Sequence, residues 1–188
     1  MENPHQALQC TIPNHKPNMR EYTFFLSTGI LISIPFTLFF AQAYDFLPAI
    51  LTVVIFAPLI EEFAKVLPLF YRHGETERSI LVLAILTGLG FGLSEFVLYV
   101  GFLGVPPLAR LPGIIFHSSS AVIAAYGIAK KNPIPYYLTA VGLHMANNFL
   151  ATMAIPFIGV VAGIAVLVTT YILAWQYYGK ASKDKIVV

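Results

Sequence analysis

The sequence predicts an all-α protein, a polytopic bundle of about six transmembrane helices. Three observations lead there. The 188 residues are 57% hydrophobic and only 11% charged, with a mean hydropathy of +0.76, whereas soluble domains average about 25% charged residues. Six apolar stretches each approach the ~20 residues needed to cross a bilayer core. The basic residues also segregate to one side of the resulting topology. A net charge of +2 is too small to suggest a nucleic-acid partner.

Residues 1–21 are polar, contain Pro4, Pro13 and Pro17, and have no apolar core. They are expected to form an irregular cytoplasmic arm rather than a cleavable signal. Cys10 is the single cysteine, so an intrachain disulfide is excluded. The expected spans are Tyr22–Ala43, Phe46–Tyr71, Ser79–Phe102, Leu111–Ala129, Ile134–Ala154 and Pro156–Tyr178. Pro35, Pro58 and Pro68 interrupt the first two, which membrane helices tolerate when neighbouring groups satisfy the freed backbone. Residues 22–178 read as one domain and 179–188 as a cytoplasmic tail.

Six spans place both termini and the loops after spans two and four on one side. That side carries Lys16, Arg20, Arg72, Arg78, Lys130, Lys131, Lys180, Lys183 and Lys185, while the other carries only Arg110. The positive-inside rule then makes both termini cytoplasmic, and the expected location is a prokaryotic cytoplasmic membrane. Tyr22, Tyr44, Tyr71, Tyr136, Tyr137, Trp175, Tyr177 and Tyr178 fall near span ends, as an interfacial aromatic belt does.

Against this apolar background the stretch from Pro58 to Phe70 is anomalous, because it holds Glu61, Glu62 and Lys65. Ionisable groups inside membrane helices are expensive and are functional candidates by default. Three further spans carry such groups: Glu95 in span three, His117 in span four and His144 in span five. At 1.5 Å per residue, Glu62 and His144 lie ~15 Å from the cytoplasmic ends of their helices, His117 ~18 Å and Glu95 ~24 Å. All four thus fit one layer in the middle to outer bilayer. Helical phase puts Lys65 between Glu61 and Glu62, able to counter either. His144 and Asn148 are four apart and share a face. Gly88, Gly92 and Glu95 form a small-residue ridge that lets another helix approach Glu95. A structural ion pair explains the charged trio taken singly, and an interhelical hydrogen bond explains either histidine. Three carboxylates ionised at depth, however, cost roughly 7–10 kcal/mol before compensation, comparable to a protein's whole stability. The conjunction therefore points to a functional centre.

Two histidines and a carboxylate from separate helices suit zinc, with another glutamate as general base on bound water. A metal-free version works with the same groups: a carboxylate and a histidine activate water while His144 and Asn148 donate to the oxyanion. No His-Glu-x-x-His or Gly-x-Ser-x-Gly motif occurs, and Ser118–Ser120 lack a nucleophile's setting, which disfavours a serine mechanism.

Glu61-Glu62-Phe63-Ala64-Lys65 resembles the Glu-Glu-x-x-Lys motif of the PrsW family of intramembrane proteases, part of the superfamily of CAAX prenyl proteases and bacteriocin-processing enzymes. Gly90-Phe91-Gly92-Leu93-Ser94-Glu95 is similar to its second motif. His117, followed by small residues to Gly127, is similar to its third, and His144-Met-Ala-Asn-Asn148 to its fourth. The CAAX prenyl proteases carry Glu-Glu-x-x-x-Arg, whereas position 66 here is Val66, and a histidine where this chain has Glu95. Both departures favour the PrsW-like branch. The resemblance implies water activation by Glu61 or Glu62, with Glu95, His117 and His144 as the other catalytic or metal-binding groups.

The expected protein is a membrane-embedded endopeptidase acting on a substrate helix within the lipid bilayer. Glu61 is the expected base, supported by Glu62 and Lys65, with Glu95, His117 and His144 holding zinc or water. Asn148 is expected to orient a group or donate to the oxyanion. Two rivals use the same polar layer: a proton or metal-ion transporter, against which the lack of inverted repeats argues, and a non-catalytic scaffold that binds a partner helix.

Overall fold

The computed structural model describes residues 14–43, 48, 50–72, 74–152 and 156–187. Cys10, the arm as far as Pro13, Tyr44, Phe46 and Ala154 lie outside them. Six α-helices follow in order: α1 Met19–Ala43, α2 Ala57–Val66, α3 Glu77–Gly101, α4 Pro107–Ala129, α5 Pro133–Ala151 and α6 Pro156–Lys180. A π-helical turn, Ile50–Phe56, leads into α2, and a 3-10 turn, Leu67–Tyr71, leaves it. Among the described residues there is no strand, only one isolated bridge between Thr76 and Ile186.

Local chemistry sets the boundaries. Thr76 caps α3 by accepting the Ser79 N–H, and Glu77 in the first turn favours the positive end of the helix dipole. Helices α4 and α5 open on Pro107 and Pro133, where the missing N–H is harmless. Gly104 and Lys131 take positive φ in the connections that follow α3 and α4.

Helix α3 is central, packed between α1 and α4; α5 and α6 cover the far side of α4, and α2 touches α1, α3, α4 and α5. The ridge of Gly88 and Gly92 faces α4. A Cβ at Gly88 would lie 2.4 Å from the His117 carbonyl oxygen, and one at Gly92 would lie 2.7 Å from the Ile114 Cα. The partner admitted by this ridge is thus the resident helix that carries His117. Gly88→Val is expected to lower the melting temperature by roughly 2–12 °C through overpacking. Gly101→Val, with open space around its Cβ, should leave it unchanged. Differential scanning fluorimetry in detergent reads both, and equal shifts would mean the α3–α4 contact is not tight.

Among the described residues, four helices are long and apolar enough to cross a membrane, taken over Met19–Phe39, Glu77–Gly101, Pro107–Ala129 and Gly159–Lys180. Leu31, Phe39, Val97, Ile115, Val161 and Ile172 on their outer faces are exposed, as lipid-facing residues are. The expected spans Phe46–Tyr71 and Ile134–Ala154 are not among the four. The first divides into three helical registers and contains three charges, and the second contains His144, Asn147 and Asn148. These two segments carry much of the polar cluster.

The apolar core lies at the end of the bundle that holds residue 14 and the C-terminal tail, where Phe25, Leu69, Ile80, Leu81 and Ile123 are sealed. The tail does not trail away there. Ala181 and Val187 are buried, and Glu77 accepts from Lys130 (2.6 Å) and from the Ser182 N–H (2.9 Å). The Glu77 carboxylate in turn raises the pKa of Lys130. Arg72 joins Glu21 of α1 to Glu75 of the α2–α3 connection. Beyond this core the bundle becomes polar.

Candidate active site

Helix α2 has its polarity reversed. Glu61, Glu62 and Lys65 are buried, the last two completely, while Ile60 and Phe63 are 38% and 48% exposed. In water such a helix would be inverted; with lipid outside, apolar side chains belong on the surface and charges must find partners within.

Lys65 is the hub. Its ammonium has three protons and three acceptors: Glu62 Oε1 at 2.6 Å, His117 Nδ1 at 3.0 Å and Ser120 Oγ at 3.1 Å. An ammonium can only donate, so His117 Nδ1 is the acceptor and the ring proton sits on Nε2. That nitrogen lies 2.8 Å from Glu95 Oε2 and donates to it. The same oxygen accepts from Arg110 at 3.0 Å, and the Arg110 guanidinium lies 3.8 Å from the centre of the Tyr99 ring. On the other branch, His144 Nδ1 donates to Glu62 Oε1 at 2.8 Å. Its Nε2 then faces Glu61 Oε2 at 3.8 Å with a free lone pair. The chain of contacts thus runs Arg110–Glu95–His117–Lys65–Glu62–His144, and Glu61 stands at its edge.

The rings of His117 and His144 are 5.4 Å apart, wedged by Phe91 and Phe116. A cavity of about 390 Å³ opens beside them, lined by Glu61, Glu95, His117 and His144, with Arg110, Asn147 and Asn148 on its wall. Glu62 does not line it. The two adjacent carboxylates therefore differ: Glu62 is engaged from two sides, and Glu61 is presented to open space.

Glu61, His117 and His144 each offer a donor atom within 4.8 Å of the other two. A point no more than ~2.8 Å from all three exists between atoms so spaced, the range of a hydrogen bond to water. The donor types also suit zinc. His144 is set up for it, because its Nδ1–H is anchored on a carboxylate. His117 is not equally free, since Lys65 and Glu95 occupy both of its nitrogens. Glu95, expected beside the histidines as a ligand, stands outside this trio and holds His117 instead.

All six expected residues converge here, and Asn148, although on the cavity wall, is engaged by the backbone. Its Nδ2 donates to the Val53 carbonyl at 2.9 Å. Sequence reasoning missed two participants. Arg110 counted only as the lone cation of the far side, although a buried Glu95 demands a counter-charge; Ser120 counted only as a serine without a nucleophile's setting, although a buried lysine needs a third acceptor. Comparison of the chain with family models, curated proteins and solved structures finds no match.

Proposed function

We propose that this protein is an intramembrane endopeptidase, hydrolysing a peptide bond in or near the membrane segment of another protein. The observation that carries the reading is the cavity-facing trio of Glu61, His117 and His144, buried between apolar helices and backed by a buried ion network. In this reading the segment Ile50–Tyr71 and helix α5 complete six crossings and both termini are cytoplasmic. The four motifs mark a distant kinship with the PrsW-like proteases.

Water held among the three donors lies against Glu61, which takes one proton as the oxygen attacks the substrate carbonyl carbon. His144 keeps its lone pair toward the water because Glu62 holds the proton on Nδ1. Asn147 and Arg110, on the same cavity wall as Asn148, can each donate to the oxyanion. Collapse of the tetrahedral species breaks the C–N bond, and the departing amine takes the proton from Glu61. Zinc on Glu61, His117 and His144 would supply a Lewis acid and a more acidic water, at the expense of one His117 hydrogen bond.

The test is cleavage of a transmembrane reporter peptide by the purified, detergent-solubilised protein, with metal content measured before and after chelation. Cleavage is expected. Loss of cleavage together with a stoichiometric metal identifies a metalloprotease, and cleavage that survives chelation identifies a glutamate-activated water. Folded protein that cleaves no membrane peptide but carries proton or metal flux in proteoliposomes would replace the proposal with transport. Folded protein with neither activity, whose Glu61 and His144 variants lose a binding partner, would replace it with a scaffold.

A further inference from the structure

Asn148 lies one turn beyond His144 and shares its face, which makes it look like part of the chemistry. Its hydrogen bond points elsewhere. The acceptor, the Val53 carbonyl, belongs to the π-helical turn Ile50–Phe56 that runs directly into α2 and Glu61. In π register the N–H of residue i pairs with the carbonyl of residue i−5, so the Val53 carbonyl should take the N–H of residue 58. Residue 58 is proline and has none. The π turn ends there, and the Val53 carbonyl lacks its helical donor at a depth where water is scarce. Asn148 Nδ2 supplies the missing donor at 2.9 Å.

We infer that Asn148 is a positioning residue: it latches α5 to the turn preceding α2, fixing Glu61 relative to His144. The geometry that the latch holds is the 3.8 Å approach of His144 Nε2 to Glu61 Oε2. One helix carries His144 and Asn148, and on the other the Val53 carbonyl lies eight residues before Glu61. A bond between Asn148 and Val53 therefore sets both the spacing and the rotation of α2 against α5. Asn147 lines the cavity as Asn148 does and donates to Asn148 Oδ1 at 3.4 Å, a long bond that substrate can replace.

The defect and its repair come from two residues, so the inference can be tested by restoring the donor from the backbone. Pro58→Ala returns an N–H to position 58 and makes the side-chain latch redundant. With Pro58 in place, Asn148→Leu is expected to lower the melting temperature by roughly 3–10 °C. It should also lower kcat on the order of 10²-fold, with KM little changed. In the Pro58→Ala background, the same Asn148→Leu change should cost less than about a third of that shift and under ~10-fold in kcat.

An oxyanion donor would show the opposite pattern, because no change at Pro58 can replace an amide that touches substrate. An undiminished kcat penalty in the double variant, a double variant that does not fold, or no penalty from Asn148→Leu alone would each overturn the inference. The kinetic half rests on the peptidase reading and the thermal half does not. A wild-type protein without peptidase activity would therefore sink the function, while the melting cycle still decides the latch.

Discussion

Glu61→Gln should reduce peptide cleavage by about 10³-fold or more while leaving the fold intact. General-base catalysis supplies on the order of 10²–10⁴-fold, and the amide of glutamine has the size of the carboxylate without its basicity. The fold should survive because, among the described residues, the Glu61 side chain makes no hydrogen bond; His144 Nε2 approaches it only to 3.8 Å. The melting temperature is expected to move by less than ~3 °C. The neighbouring variant Glu62→Gln is the informative contrast. Its carboxylate receives both Lys65 and His144, so it should lose stability and activity together. Retained cleavage in Glu61→Gln, or equal loss of stability in the two variants, would reverse the assignment of base and support.

The helical class and the membrane character were legible because both depend on composition and on run length. The site was legible for a related reason. Charge inside an apolar stretch is so unfavourable that Glu61, Glu62, Lys65, Glu95, His117 and His144 stand out without any knowledge of their contacts, and a common depth suggested that they meet. Depth alone could not say which atoms pair. Helical phase left Lys65 equidistant in effect from Glu61 and Glu62, and only the packing of α4 against α3 brings His117 and Ser120 to it and so selects Glu62. The bond from Asn148 to the Val53 carbonyl was hidden for another reason. It depends on a change of helical register at Ile50–Phe56, and a π turn leaves no mark in a hydrophobic pattern that also fits an α-helix. Pro58 was visible as an interruption, but which carbonyl it deprived depends on that register.

The tail shows the limit of charge placement. Lys180, Lys183 and Lys185 led to the expectation of a cytoplasmic tail, yet nothing in their pattern indicates that Ala181 and Val187 would be buried against the α2–α3 connection. Backbone bonds hold them there, from Gly74 N–H to the Val187 carbonyl and from Val187 N–H to the Glu75 carbonyl. Such pairings carry no side-chain signature.

Lys65→Met is expected to be the most destabilising single change in the chain. It removes a fully buried cation and leaves the fully buried Glu62 without its counter-charge. Breaking one side of a buried ion pair costs about 3–5 kcal/mol, which for a chain of this size corresponds to roughly 6–20 °C in melting temperature. The loss should spread along the network. Ser120 Oγ and His117 Nδ1 lose their donor together, and His117 is then free to move its proton from Nε2 to Nδ1, which weakens its hold on Glu95. Replacing both partners separates charge from packing, because a buried pair exchanged for apolar residues of similar volume is often neutral. Lys65→Met with Glu62→Leu should therefore recover much of the lost stability. It should recover no activity, since His144 Nδ1 would have no carboxylate to hold its tautomer. Thermal melts and reporter cleavage on the single and double variants give both readings. If the double variant is no more stable than Lys65→Met alone, the cluster owes its stability to the shape of these side chains, and the ion pair is not what holds α2 against α4 and α5.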